Sequence, residues 1–129
     1  MLMIKINDYL NRQGMDSIST GVTLGFVLEC VERGILKKED FKSRKFPEGF
    51  LPSWYDNSYI FPLLEMMVNR EGIGDIIADG TWAASQKIKD SEPYAMNINV
   101  QEVPMHDPRY INWIGVTYIA DPTPVRHTA

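Results

Sequence analysis

Two histidines, one cysteine and 17 carboxylates are the side chains of this 129-residue sequence best suited to holding a metal or moving a proton. His106 stands beside Asp107, and His127 lies in the stretch Asp121-Pro122-Thr123-Pro124-Val125-Arg126-His127. Two imidazoles are too few for a zinc site without carboxylate help. Asp107 precedes Pro108, the pairing of a helix N-cap with proline at the first helical position, so its carboxylate has a structural task of its own. Cys30 is alone. The chain therefore supplies neither an internal disulfide, nor a cysteine zinc site, nor the ligands of an iron–sulfur cluster. Cys30 also falls on the apolar spacing Ile18, Val22, Phe26, Cys30, Val31, with no histidine near it in sequence. That is the setting of a small core residue rather than a nucleophile. No phosphate loop, dinucleotide glycine fingerprint, H-E-x-x-H or G-x-S-x-G is present. Pattern alone assembles no catalytic set.

The elements that must position these groups read as helices. Ile4 and Leu10 mark a short amphipathic helix closed by Gly14. Asp16, Ser17, Ser19 and Thr20 offer caps for a second helix that Gly34 ends. Residues 38–55, with Pro47, Gly49 and Pro52 among aromatics, form a loop. A third helix is expected from Asp56 or Asn57 to Arg70, kinked or delayed by Pro62. Gly72-Ile73-Gly74 then turns the chain into a fourth helix, capped by Asp75, that runs to about Lys89 and carries Gly80 in its middle. Apolar and polar residues alternate from Tyr94 to Pro104, the period of an extended segment. A last helix starts at Asp107-Pro108 and passes Ile111, Ile114 and Tyr118. The expected fold class is all-α: a single multi-helical domain over residues 1–129, with at most a short extended segment near 94–104.

Composition fits one core. With 44% apolar residues, roughly 57 side chains can contribute to it. The balance of 13 basic against 17 acidic residues gives −4, so neither nucleic acid nor an anionic membrane is an expected partner. No apolar run approaches the roughly 18 residues of a membrane span. A lone cysteine points to a reducing, cytoplasmic compartment.

One stretch is more specific. Asn11-Arg12-Gln13-Gly14-Met15-Asp16-Ser17-Ile18-Ser19-Thr20-Gly21 resembles the segment N-R-x-G-L-D-T-I-S-T-G of tungsten-containing aldehyde:ferredoxin oxidoreductases. Colinear matches follow. Arg70-Glu71-Gly72-Ile73-Gly74-Asp75 with Ala78-Asp79-Gly80 is similar to R-E-G-x-G-D-L-L-A-D-G. Tyr94-Ala95-Met96, Glu102-Val103-Pro104 and Asp107-Pro108-Arg109 resemble Y-A-M…E-L-P-A-Y-D-P-R. Asp121-Pro122-Thr123-Pro124 with Arg126-His127-Thr128 resembles D-P-T-P-G-R-H-T.

The resemblance implies a fragment of an enzyme several times longer, covering part of its first helical domain and the start of the next. Such enzymes oxidise an aldehyde to a carboxylic acid at a tungstopterin, or a molybdenum counterpart, and pass the electrons to ferredoxin. Asn11, Gly14, Met15 and Asp16 then match the family's pterin-binding motif, and His127 matches a histidine beside the metal. An imidazole titrating near neutral pH suits proton transfer there. Capping alone equally accounts for the turn at Gly14–Asp16. His106 stands where relatives often have tyrosine and receives no catalytic role; Asp107 and Arg109 are read as structural.

The departures bear on activity. The family's C-x-x-C-x-x-x-C cluster run and its β domain are absent from this sequence, Tyr110 and Trp113 occupy positions that are often glycine, and Val125 replaces a glycine. The isolated chain is therefore expected to hold no tungstopterin and no iron–sulfur cluster, and to be inactive without the remaining domains or a second polypeptide. An exposed apolar face is expected over Phe46–Tyr59 and the Trp113 helix, with self-association as its consequence. The alternative function is a non-catalytic helical remnant or interaction domain of the same family.

Overall fold

The computed structural model describes residues 1–123 and 125 of the chain. Among these, six α-helices and one two-stranded hairpin follow in order: α1 (Leu2–Gln13), α2 (Ser17–Glu32), α3 (Ile60–Val68), α4 (Ile73–Ile77), α5 (Thr81–Lys87), β1 (Asn97–Ile98), β2 (Gln101–Glu102) and α6 (Asn112–Ala120). The mostly helical reading holds. The only strands described lie inside the stretch expected to be extended.

Local chemistry sets the first two helices. Gly14 closes α1 in the left-handed region at φ +69, its amide donating to the Asn11 carbonyl while the Met15 amide returns to Leu10. Two residues on, the Ser19 amide donates to Asp16 Oδ2 at 2.6 Å, and α2 begins. The buried faces are rotated from the expected ones. Ile6 and Leu10, not Ile4, anchor α1, and α2 buries Thr20, Thr23, Phe26, Val27, Leu28 and Cys30 while Ile18 is exposed. Thr20 and Thr23 explain the misreading: Thr23 is buried because its hydroxyl donates to the Ser19 carbonyl inside the helix.

Between α2 and α3 the chain has little regular structure beyond a short 3₁₀ turn, but it is packed. Phe41 is fully buried and lies 5.5 Å, ring to ring, from Phe50, which meets Phe46 at 5.4 Å. Helix α3 starts at Ile60, later than Asp56–Asn57, because Pro62 fits only in a first turn, where its missing N–H costs nothing. It buries Leu63, Leu64, Met66 and Met67. Gly74 lets α4 lie backbone to backbone on α3: a Cβ there would overlap the Met66 carbonyl group.

The continuous fourth helix is not formed. It breaks into α4 and α5 at Gly80, which takes φ +93 and ψ 173. Asp75 does not cap it; its carboxylate pairs with Arg70 at 3.3 Å. The hairpin that follows pairs Asn97 with Glu102 and Ile98 with Gln101. Asn99 and Val100 turn it, both with positive φ, the signature of a type I′ turn. The last helix begins at Asn112 rather than at Asp107. Asp107 instead accepts the Arg109 amide at 2.8 Å and grips its guanidinium, so its carboxylate closes a turn. The main core runs from Ile6 to Ile88; Ile114 and Tyr118 of α6 are buried outside that cluster. No helix among the described residues is long and apolar enough to cross a membrane.

Candidate functional site

The turn between α1 and α2 opens onto a cavity of about 340 Å³. Gly14, Met15 and Asp16 form one wall and Ala78, Asp79 and Gly80 form another. Glu102, delivered by β2, completes it, over a floor of Thr20, Thr23, Met67 and Ile77. Three segments far apart in sequence converge here, and each carries one of the motifs quoted above.

The carboxylates of the walls are each held by hydrogen bonds. Asp16 is fixed by the Ser19 amide. Asp79 is gripped by Arg70, whose Nη1 donates to Asp79 Oδ2 at 2.9 Å. That hydrogen-bonded guanidinium holds the Asp79 carboxyl below the usual carboxylate range and raises the guanidinium's own pKa. Glu102 accepts the Thr81 amide at 2.8 Å, and its carboxylate stands where a Cβ on Gly80 would be. Gly14 has no heavy atom within 4 Å of an added Cβ, so its backbone stays approachable. Among the described residues, no cluster of three or more His, Cys, Asp or Glu side chains is placed to hold a metal ion.

Of the predicted site residues, the structure brings Gly14, Met15 and Asp16 into one cavity. Asn11 is exposed on the last turn of α1 and does not line it; its carbonyl accepts the Gly14 amide. His127 lies outside the described residues. Asp79, Gly80 and Glu102 were missed as site residues. The signal was available, since all three sit in segments that carried the resemblance. Cys30 is fully buried, and desolvation pushes its thiol up to about 11, which confirms it as a core residue. Val125, in place of the resembling segment's glycine, still takes φ +68, a region that valine rarely adopts.

A second, larger opening of about 860 Å³ runs between α2 and the segment from Pro93 to Arg109. Phe26, Trp54 and Tyr94 contribute to an apolar lining, and His106 lies along it.

A sequence model of aldehyde ferredoxin oxidoreductases, spanning their domains 2 and 3, matches residues 1–129. This chain belongs to the aldehyde ferredoxin oxidoreductase family. A tungsten-containing aldehyde ferredoxin oxidoreductase of Pyrococcus horikoshii is 34% identical to it over 117 residues, which is 90% of this chain and 18% of that protein. An aliphatic sulfonate oxidoreductase, WOR-like subunit, of Pyrococcus furiosus is 36% identical over 109 residues, 81% of this chain and 16% of its own length. Among solved structures, the active site complex BamBC of benzoyl coenzyme A reductase, in complex with 1,5 dienoyl-CoA, superimposes with a TM-score of 0.62 at 31% identity. It covers 90% of this chain, which in turn covers 16% of that one. The chain thus corresponds to a small part of these larger oxidoreductases.

Proposed function

We propose that this chain is the pterin-contacting part of a tungsten-dependent aldehyde oxidoreductase. The observation that carries the reading is the convergence of Gly14–Asp16, Ala78–Gly80 and Glu102 on one cavity. The donor chemistry fits the group. A pterin's amino-lactam edge carries N–H donors, and the cavity offers carboxylate acceptors on Asp16 and Glu102. The open backbone of Gly14 leaves room for a flat ring to approach. When bound, tungsten held by pterin dithiolenes supplies the two-electron oxidation of an aldehyde to a carboxylic acid.

The chain's own residues orient the pterin and handle a proton. Asp16 holds the pterin edge while fixed by α2, and Asn11 keeps the turn closed through its carbonyl. His127 is the proposed proton-transfer residue. The β domain and cluster cysteines come from the remaining domains or a second polypeptide, with ferredoxin taking the electrons. Exposed Tyr110, Trp113, Val116 and Ile119 then form a surface for those domains to cover.

Co-expression with a polypeptide that supplies the β domain and cluster cysteines tests this. Aldehyde-dependent reduction of a viologen dye is expected from the assembly and not from the chain alone. In the assembly, Asp16→Asn keeps the helix cap but lowers bound pterin, and His127→Ala lowers turnover at unchanged tungsten content. Robust activity from the purified 129-residue chain, with tungsten absent by elemental analysis, overturns the reading.

A further inference from the structure

We infer that Glu102 is a second contact for the pterin, accepting a hydrogen bond from its exocyclic amino group, and that it selects pterins over pteridines that carry an oxo group in place of that amine. The inference rests on the pterin reading above.

Glu102 is held in an unusual way. Its Oε1 accepts the Thr81 amide at 2.8 Å and lies 3.4 Å from the Thr81 hydroxyl, which caps α5 from 21 residues away. A serine, threonine or aspartate at position 80 would cap α5 locally. Position 80 is instead glycine, and a Cβ there would overlap the Glu102 carboxylate. The fold thus omits the local cap and keeps a carboxylate in its place. Capping explains one oxygen only: Oε2 accepts no hydrogen bond from the described residues.

Asp16 follows the same plan on the opposite wall. Oδ2 is committed to the Ser19 amide, and Oδ1 accepts nothing from the described residues. The third carboxylate, Asp79, is already matched by Arg70. The cavity therefore keeps two anchored acceptors and calls for a ligand edge with more than one N–H donor. A metal ion does not meet that demand, because the three carboxylates do not come together as a coordination cluster. A pterin's amino-lactam edge does. Lumazine, which carries an oxo group in place of the exocyclic amine, would set a carbonyl against Glu102.

The test uses the 129-residue chain and free pterin or lumazine, read by ligand fluorescence. Wild type is expected to favour pterin by about tenfold or more, since lumazine replaces a hydrogen bond to the half-buried Glu102 carboxylate with a facing carbonyl. Glu102→Gln retains an oxygen for the Thr81 amide and turns the other position into a donor. It should preserve the thermal midpoint within a few degrees and erase or reverse the preference. A measurement on wild type alone guards against misfolding of the variant: the Glu102 side-chain carboxyl carbon should shift on adding pterin and stay fixed with lumazine. If wild type binds pterin and neither the preference nor that carbon signal involves Glu102, the assignment of Glu102 falls while the pterin reading stands. If wild type binds neither compound, the assignment of Glu102 falls, while the pterin reading stands or falls with the pterin content of the assembled form.

Discussion

Helices α3 and α6 have the same length, nine residues each, and both are strongly apolar, yet the molecule treats them in opposite ways. In α3, Leu63, Leu64, Met66 and Met67 are all buried, and α4 lies against its backbone. In α6 only Ile114 and Tyr118 are buried. Trp113, Val116 and Ile119 are 57%, 66% and 90% exposed. Helix α6 folds back on the turn before it: Gly115 sits close to Pro108, and the Tyr118 hydroxyl donates to the His106 carbonyl at 3.3 Å. A charge-free helix with one covered face thus leaves its other apolar face exposed. The main core draws on residues up to Ala95, whereas Ile114 and Tyr118 of α6 are buried outside it.

The contrast can be broken by mutation. Leu64→Ala in α3 should cost about 2–5 kcal/mol, the usual range for a cavity in a packed core, measured by urea denaturation. Gly74→Ala, which drives a methyl group into the Met66 backbone, should cost about 1–3 kcal/mol by the same assay. The Cys30 thiol sharpens the picture of the core. Burial raises its folded pKa to about 11 from an ordinary value of about 9.0, so between those values the unfolded chain has lost a proton that the folded chain retains. Stability should therefore fall as pH rises from about 9 to about 11, and Cys30→Ala should flatten that slope. Smallest is Ile119→Ser on α6, expected within about 0.5 kcal/mol of wild type. Its effect should appear instead in sedimentation velocity, as weaker self-association at high concentration. If Ile119→Ser proves as damaging as Leu64→Ala, the two helices are not different in kind.

What the sequence discloses and what it hides separates along the same physical line. The α1–α2 turn was legible because Gly14 and Asp16 act on amides within three residues of themselves. The break at Gly80 was not, because its cause is Glu102, a side chain brought in by a hairpin 22 positions later. Asp107 misled for a related reason: its carboxylate accepts the amide and guanidinium of Arg109, two residues on, and so closes a turn, and the helix starts only at Asn112. The helical spacing places Ile4 and Ile18 inward, whereas both are exposed and Thr20 and Thr23 are buried, the Thr23 hydroxyl donating to the Ser19 carbonyl of its own helix. The family followed from the motifs in order. Which of their residues share one cavity needed coordinates.

The link between Thr81 and Glu102 also imposes an order on synthesis. Helix α5 has seven residues, too few to persist in water without tertiary support. Its first amide finds its acceptor 21 residues downstream. A ribosome adding about 5–20 residues per second makes that acceptor about 1–4 s after Thr81. During that interval the α4–α5 stretch has left the peptidyl-transferase centre without its final partner. The cavity cannot close wall by wall as the chain emerges. It closes when the hairpin arrives, and a release or pause between Gly80 and Glu102 leaves the site with one side missing.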